Sequence, residues 1–417
     1  MEIHAPQERL NSAKKDIIYG PKINPGLDTP NRIRSKIVRK TDILLVNKYY
    51  SPSTGGIETA VKQYAHWYTE LGYRVLVLCC AAERTTHSSM EQIDGIKVLR
   101  AASFGNLLSV PLSPAFFWHF TILAAKSRII HLNLQFPLAS MALWISRKLI
   151  KGKIVVSYHC DVYRQRYLKK LTYLFDRYTA RQADFLLCGS PALKERSEVI
   201  GNIGRKVEVL PYTANLSHVD RCLNQPPNTL LPENFIRDGY CVFFGRLVSY
   251  KGTASLDAAF RLLMARGATV NLVVFGRGPE EQRFRKLAEE FPERVHFINA
   301  FVSDVDKYHL IRNARIFLFP SVYYSEAFGI AQLDAMACAR PIINCWLQTG
   351  VNWVAPDGEA AVTIEAGNPD KLAGAIITLQ NDPEQLAALG NGGLQRCRSI
   401  FSEDKVRARF IELISQL

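Results

Sequence analysis

Several features that define other classes of protein are missing from this sequence of 417 residues. Its nine cysteines include no Cys-x-x-Cys pair, and Cys79, Cys80, Cys188 and Cys241 lie inside apolar runs that are typical of strands. This pattern predicts buried, reduced thiols in a cytoplasmic protein, not a disulfide scaffold. The longest apolar tract, 107–125, contains two prolines, two serines and a histidine, which argues against a membrane-spanning helix.

Acidic residues are fewer than basic ones, 38 against 52, which gives a net charge of +14. Helix-turn-helix, RRM and zinc-finger patterns are missing, so the charge does not indicate nucleic-acid binding. An anionic membrane surface, a phosphorylated lipid acceptor and ordinary solvated helix faces all remain open as explanations. The cations concentrate in the polar first forty residues, which lack a signal-peptide pattern, and in Arg147–Arg181, where tyrosines are interleaved with them.

Apolar runs alternate with amphipathic segments along two successive stretches of the chain. We expect a flexible basic tail over 1–41, a first domain over 42–220, a proline-rich linker over 221–238 and a second domain over 239–399. Two successive βα series predict an α/β protein with two doubly wound parallel-sheet (Rossmann-like) domains and a cleft between them. The closing stretch 400–417 is amphipathic and predicts a final helix.

The segment 314–340 carries the most informative pattern. A short apolar run, Ile316–Phe319, predicts a buried strand, and Glu326 and Gly329 stand at the start of the helix that follows. Ligands bind at such strand-to-helix junctions in open α/β sheets, where helix N-termini favour anions. Glu326 and Asp334 lie eight residues apart, slightly over two helical turns, so both could border one ligand. An ordinary βα unit with a capping carboxylate is the alternative.

The text of this segment, EAFGIAQLDAMACARPII, resembles the hallmark of retaining GT-B glycosyltransferases of family 4. That family has two acidic residues around an FG pair, and Asp334 stands where its second glutamate usually stands. The resemblance implies that Glu326 contacts the transferred sugar and Asp334 the nucleotide ribose. It also implies that the donor is bordered by Phe328, Gly329 and Ile330.

Two further motifs follow predicted strands of the first domain. Gly55 and Gly56 would let a phosphate approach backbone N–H groups, although a plain tight turn needs the same residues. With Glu58 they resemble the family's P-x-x-G-G-x-E opening, which implies a donor contact. His159 and Asp161 resemble the sugar- or acceptor-side histidine motif, which implies a neutral imidazole whose second nitrogen is oriented by a carboxylate.

The second domain carries basic and glycine-rich turns after its predicted strands. Arg246 and Lys251 could neutralise a diphosphate without metal, and the text GRLVSYKG, with Gly245, resembles the family's diphosphate motif. Asp304 and Asp306 mimic a metal-binding D-x-D, but they precede a predicted helix, so we expect Asp304 to be its N-cap. The resemblance adds a nucleotide-side turn at Gly276 and Gly278 and a later one at Thr349 and Gly350.

The resemblance implies a retaining hexosyltransferase with Glu326, Arg246, Lys251 and His159 in the catalytic site and no metal cofactor. It also implies that the final helix, 400–417, crosses back onto the first domain. The text TGVNWV resembles O-antigen and lipopolysaccharide transferases. It therefore favours a nucleoside-diphosphate sugar donor, GDP-mannose ahead of a UDP-sugar, and a polyprenyl-diphosphate glycan or lipopolysaccharide acceptor. We expect a cytoplasmic protein that attaches peripherally to an anionic membrane. The alternatives are a soluble glucosyl- or N-acetylglucosaminyltransferase, a non-catalytic GT-B scaffold and a nucleic-acid-binding protein.

Overall fold

The structure is a computed structural model that describes residues 41–417 other than 54, 108–109, 162–165 and 229, with the side chains of 166–171 left out. The basic residues of the predicted tail therefore lie outside the described residues, and so does part of the basic and tyrosine-rich stretch Arg147–Arg181. Among the helices described, none combines the length and apolar character needed to cross a bilayer.

The first half of the described chain builds one large sheet. Its strands are β1 (Ile43–Val46), β2 (Val75–Cys80), β3 (Ser89–Ile93), β4 (Ile96–Ala101), β7 (Ile129–Leu134), β8 (Lys153–Tyr158), β9 (Phe185–Cys188) and β10 (Val207–Val209), while β5 (Asn106–Leu107) and β6 (Val110–Pro111) form a separate ribbon. The strand order is β10-β9-β8-β7-β1-β2-β4-β3, and only β3 runs antiparallel to its neighbour. The chain order reverses between β1 and β7, which opens a crevice at the carboxyl edge of the sheet.

Helices cover both faces of this sheet, so its central strands are largely apolar and β1 is fully buried. Prolines near the N-termini of several helices, and the hydroxyls of Ser113 and Ser190 that accept hydrogen bonds from the first turns, explain where these helices begin. The helices are α1 (Gly56–Glu70), α2 (Pro114–Ala124), α3 (Pro137–Ser146), α4 (Arg166–Gln182), α5 (Pro191–Arg196), α6 (Leu216–Leu223) and α7 (Glu233–Asp238).

The second half builds a parallel sheet from β11 (Cys241–Phe244), β12 (Leu272–Phe275), β13 (Val295–Ile298), β14 (Ile316–Phe319), β15 (Ile342–Cys345) and β16 (Ala361–Ile364). Its order is β13-β12-β11-β14-β15-β16, which reverses between β11 and β14. The loops after β11 and β14 therefore face each other at the carboxyl edge. The helices are α8 (Thr253–Ala265), α9 (Glu281–Glu290), α10 (Asp304–Asn313), α11 (Ala331–Ala337), α12 (Gly350–Val354), α13 (Pro369–Gln380) and α14 (Pro383–Arg396).

The last helix, α15 (Glu403–Ile414), packs on the first sheet's side of the molecule. The ring of Phe410 stacks on Tyr64 of α1 with centroids 5.4 Å apart, and the Arg409 guanidinium lies 2.7 Å from a carboxylate oxygen of Glu208. The described part of the chain thus begins in the first sheet, completes the second, and returns to the first.

The two parallel sheets confirm the predicted α/β class. The apolar run predicted as a strand at Ile316–Phe319 is β14, with the same bounds. The β3–β4 hairpin was not predicted, because β3 is a largely exposed edge strand without an apolar run. The stretch 221–238, predicted as a linker, contains the end of α6 and all of α7.

Candidate active site

The glycine-rich turn after β1 meets the start of α11 across the crevice between the two sheets. A Cβ placed on Gly56 would lie 2.3 Å from the Cδ1 atom of Ile330. A side chain at position 56 would therefore require the Ile330 side chain to move. The predicted phosphate turn of the first domain and the predicted donor loop of the second thus lie against each other.

Lys251 and Glu326 form an ion pair where the loops after β11 and β14 face each other. The Lys251 Nζ atom lies 2.5 Å from a carboxylate oxygen of Glu326, and the two side chains are only 14% and 11% exposed. Gly252 makes this possible, since a Cβ there would lie 1.8 Å from the Pro320 carbonyl oxygen. The Lys251 ammonium also sits 4.9 Å from the centroid of the Phe319 ring. The predicted diphosphate cation and the predicted sugar carboxylate are therefore direct neighbours.

Arg246 lies at the rim of the same site. Its side chain is exposed, and its guanidinium donates a 3.0 Å hydrogen bond to the Tyr250 hydroxyl. The turn that carries it packs on the turn after β12, because a Cβ on Gly276 would lie 1.9 Å from the Gly245 carbonyl oxygen. Gly278 has its backbone N–H bonded to the Glu281 carboxylate at 2.8 Å. The predicted glycine turns thus form one layer of closely packed backbone beside Arg246.

Asp334 has partners of its own on α10. The Tyr308 hydroxyl donates a 3.0 Å hydrogen bond to its carboxylate, and the Lys307 ammonium lies 3.9 Å away. Burial raises the pKa of Asp334, and the charge of Lys307 opposes that rise. Sequence reasoning singled out neither Lys307 nor Tyr308. They immediately follow the D-x-D motif, in which only the two aspartates were considered as functional candidates.

The prediction that Asp304 caps α10 was wrong. The cap is Ser303, whose hydroxyl accepts from the backbone N–H of Asp306, because a short hydroxyl side chain one residue earlier reaches the first turn. Asp304 instead contacts Lys307 and His218 at 3.1 and 3.0 Å. Within the described residues, no group of three or more acidic, histidine or cysteine side chains is arranged to hold a metal ion.

His159 is buried between two neutral partners. Its Nδ1 atom lies 2.6 Å from the Tyr212 hydroxyl and its Nε2 atom 3.1 Å from the Asn133 side-chain oxygen. The Asn133 amide nitrogen donates to the Val46 carbonyl, so its oxygen must accept from His159. This assigns the ring proton to Nε2, and Tyr212 donates to Nδ1. Burial lowers the pKa of His159 to about 4, so the ring is neutral at pH 7.

The expectation that a carboxylate orients the second nitrogen of His159 was therefore wrong. Asp161 accepts instead from the hydroxyls of Tyr158, at 2.7 Å, and Ser197, at 2.8 Å. The reason lies in the adjacency of β7 and β8, which brings Asn133 next to the end of β8. No motif in the sequence marks Asn133 or Tyr212, because each is far from His159 along the chain.

Phe328 lies in the core and not on an open surface. It is 5% exposed, and its ring packs on Tyr212 with centroids 4.9 Å apart and on Trp353 at 6.2 Å. Tyr212 thus contacts both His159 of the first domain and Phe328 of the second. It follows β10, in the segment where the chain leaves the first sheet.

A cavity of about 250 Å³ lies between the two halves, next to Asp161 and to the turn that begins at Thr349. The Thr349 hydroxyl donates to the Glu326 carbonyl at 2.8 Å, which ties this turn to the donor loop. Arg196 of α5 reaches across the cavity mouth and donates to the Gln348 side chain. Sequence reasoning missed Arg196, because its local sequence, Lys-Glu-Arg, is typical of an exposed helix end. The cavity is lined by Asp161, Ala192, Leu193, Arg196, Ser197, Tyr324, Ala327, Gln348, Thr349 and Gly350.

We expect Tyr212→Phe to lower the free energy of unfolding by about 1–3 kcal/mol, because it leaves the buried Nδ1 atom of His159 without its donor. Urea denaturation measures this loss. Tyr49→Phe is the matched control, since its hydroxyl bonds Asn106 at an exposed position. A loss no larger than that of the control would show that the Tyr212–His159 bond contributes little.

Comparison with known proteins agrees with this architecture. Residues 55–213 match the family described as Glycosyl transferase 4-like domain, and residues 233–396 match Glycosyl transferases group 1. The chain is 26% identical to O-antigen chain mannosyltransferase C of Escherichia coli over 377 residues, covering 90% of this chain and 98% of that protein. It is also 26% identical to D-rhamnosyltransferase WbpZ of Pseudomonas aeruginosa over 358 residues, covering 85% and 90% of the two chains.

Solved structures share the fold. Sucrose-phosphate synthase from Thermosynechococcus elongatus superimposes with a TM-score of 0.72 at 20% identity, over 90% of this chain and 99% of that one. HepE from Anabaena, solved in complex with UDP, gives a TM-score of 0.67 at 19% identity, over 90% and 100% of the two chains. This protein belongs to the GT-B glycosyltransferases. Its first domain matches the Glycosyl transferase 4-like domain, and its second domain matches Glycosyl transferases group 1.

Proposed function

We propose that the protein is a retaining hexosyltransferase that moves mannose or a related sugar from a nucleoside diphosphate to a lipid-linked glycan or lipopolysaccharide. The contact between Lys251 and Glu326 carries this proposal, since it joins a cation for the diphosphate to a carboxylate for the sugar. Two relatives are named for O-antigen mannosyl transfer and D-rhamnosyl transfer, and another is named phosphatidyl-myo-inositol mannosyltransferase. These names favour an acceptor in cell-surface polysaccharide synthesis. A further relative, matched over 177 residues, is named a GDP-mannose-dependent mannosyltransferase, which favours GDP-mannose over a UDP-sugar.

Donor binding would redistribute the charges of the resting site. Lys251 is now neutralised by Glu326, and a diphosphate that entered beside it would compete for the ammonium. Arg246, exposed at the rim, would supply a second positive charge. Once Lys251 contacts the diphosphate, the Glu326 carboxylate becomes free to accept hydrogen bonds from sugar hydroxyls. Binding of the diphosphate would thereby be coupled to the release of Glu326 for contact with the sugar.

Both cations would stabilise the negative charge that develops as the bond between the anomeric carbon and the diphosphate breaks. The acceptor oxygen attacks from the face that the diphosphate leaves, and its proton passes to the departing phosphate oxygen. Configuration is retained without a protein nucleophile. Because Lys251 and Arg246 supply the compensating charge, the proposal includes no metal cofactor.

A lipid-linked acceptor places the reaction at a membrane. We propose that the protein acts in the cytoplasm and meets the anionic surface of the membrane peripherally through its basic first domain. The cations of Arg147–Arg181 are the residues that the sequence offers for this contact, since each Lys or Arg near such a surface adds favourable free energy.

Nucleotide binding tests the donor assignment. We expect GDP to raise the melting temperature more than UDP does, because at equal concentration the ligand with the lower Kd stabilises the folded state more. A ligand at about 100 times its Kd adds about 2.7 kcal/mol to that stability. The shift should be the same in EDTA and in magnesium. Thermal denaturation of the intact protein with each nucleotide measures it, with Lys251→Ala as the variant in which the shift should shrink.

The outcomes separate the parts of the proposal. A larger shift with UDP would refute a GDP-sugar donor while leaving a transferase in place. A shift that vanishes in EDTA and returns with metal would contradict the metal-free site. If no nucleoside diphosphate stabilises the protein, the transferase proposal itself is wrong.

A further inference from the structure

Two neighbouring surface helices of the first domain contain no charged residue. Helix α2 has the sequence PAFFWHFTILA and α3 the sequence PLASMALWIS, yet Trp118 is 60% exposed, Trp144 56% and Ile145 60%. The solvent side of a surface helix usually carries charged or polar residues. Large apolar side chains on that side of both helices indicate a surface that is covered when the protein works.

These side chains lie on adjacent elements. The Thr121 hydroxyl of α2 is 2.6 Å from the Ser146 hydroxyl of α3, and the Trp144 ring contacts Phe175 of α4 with centroids 5.8 Å apart. Exposed leucines extend the surface onto the turn after α3 and onto α4. We call this surface the apolar patch, and it consists of Trp118, Trp144, Ile145, Leu149 and Leu174.

The stretch of chain that contains α2 and α3 carries charge of one sign. Residues 95–160 contain no aspartate or glutamate, and they contain eight lysines and arginines. Lys126 and Arg128 follow the end of α2, and Lys148 and Lys151 follow the end of α3, all four exposed. Acidic residues are common elsewhere in the chain, so their absence here is local. An apolar surface beside an excess of exposed cations is complementary to a layer that is anionic outside and apolar inside.

We infer that the apolar patch is a membrane-docking surface, which inserts its tryptophans and aliphatic side chains at the headgroup level of an anionic bilayer. Tryptophan settles at this level, and neighbouring lysines and arginines attract anionic headgroups. A second copy of the chain would bring the same cations into opposition, which disfavours self-association. The inference rests on the proposed function, since a lipid-linked acceptor requires the enzyme at a membrane.

The position of the apolar patch suits that acceptor. Helix α3 begins directly after β7, at the carboxyl edge of the first sheet, and Trp144 lies seven residues further along. Seven residues of helix rise about 10 Å, so the apolar patch is set back from the crevice by roughly that distance.

The test is flotation of the full-length protein with vesicles of equimolar phosphatidylcholine and phosphatidylglycerol. We expect Trp144→Ser combined with Ile145→Ser to weaken binding at least about tenfold, because burial of large apolar side chains contributes free energy of this order. Lys148→Gln combined with Lys151→Gln should weaken it roughly 30-fold at low salt and less at high salt. Phe301→Ser is the matched control, since Phe301 is 88% exposed on the second domain.

Binding by the Trp144 and Ile145 variant equal to that of the wild type would overturn the inference and leave other cations as the source of attraction. Sedimentation showing a wild-type dimer that the same variant dissociates would overturn it too, because a second copy would then cover the apolar patch. The GDP-induced thermal shift of each variant reports that its fold is intact. Vesicle binding without any nucleotide shift would refute the donor assignment and still support the docking surface.

Discussion

Replacement of Lys251 by Ala is expected to lower kcat by about two to three orders of magnitude, the size observed when one donor to a developing oxyanion is removed. In the resting structure Lys251 contacts Glu326 at 2.5 Å, so the variant also leaves that carboxylate without its cation. Arg246→Ala should act in the same direction with a smaller effect, because its side chain is exposed and its charge is partly screened by solvent. Release of nucleoside diphosphate at saturating donor measures both.

The control for these variants is Lys371→Ala, which removes an exposed lysine of the second domain at the start of α13. It should leave turnover unchanged. Combining Lys251→Ala with Glu326→Gln separates a structural role of the ion pair from a catalytic one. If the pair were purely structural, the double variant would be about as stable as either single variant, and its kcat would be nearly that of the wild type. Near-normal turnover in both Arg246→Ala and Lys251→Ala would refute the diphosphate assignment.

The largest expected change in stability is at Gly276. A Cβ there would lie 1.9 Å from the Gly245 carbonyl oxygen, and the residue has φ of +141°, which L side chains rarely adopt. We expect Gly276→Ala to lower the free energy of unfolding by about 3 kcal/mol or more, from left-handed strain of about 1–2 kcal/mol and an overpacking cost of similar size. Urea denaturation measures the loss, and GDP binding should weaken in parallel because the turn carrying Arg246 must shift.

Gly358→Ala isolates the contribution of the close backbone contact. Gly358 also has a positive φ, +72°, but a Cβ there would meet nothing within 4 Å. Its replacement should cost only the conformational strain, about 1–2 kcal/mol. If Gly276→Ala destabilises the protein no more than Gly358→Ala, the two turns are not packed as closely as the structure indicates.

Most elements of the fold were predictable because strands of a doubly covered parallel sheet are continuous apolar runs. Ile43–Val46 and Ile316–Phe319 are fully buried examples, and the second was predicted from its four apolar residues. The exposed strand β3 lacks such a run. Its only local indication was the Asp94–Gly95 pair, which adopts positive φ at both positions and turns the β3–β4 hairpin.

The candidate site was predictable in its parts but not in its pairings. Lys251 and Glu326 were both singled out, yet they lie 75 residues apart, and only the adjacency of β11 and β14 brings them together. Asp334 was expected to border the same ligand as Glu326, and that expectation stays a prediction. The sequence did not indicate that Tyr308 of α10 would donate a hydrogen bond to its carboxylate. His159 was identified, but its partners Asn133 and Tyr212 come from a neighbouring strand and from the segment after β10.

The sequence by itself determined the local elements and the chemistry at their ends, because hydrophobic period, glycine turns and helix starts depend on a few neighbouring residues. Tertiary structure decided which of those ends meet, how His159 is protonated and held, and which surface is left apolar. Strand order and helix packing set these outcomes, and both arise from contacts between residues far apart in the chain. Trp118, Trp144 and Leu174 belong to three separate helices and form one surface only after α2, α3 and α4 have packed.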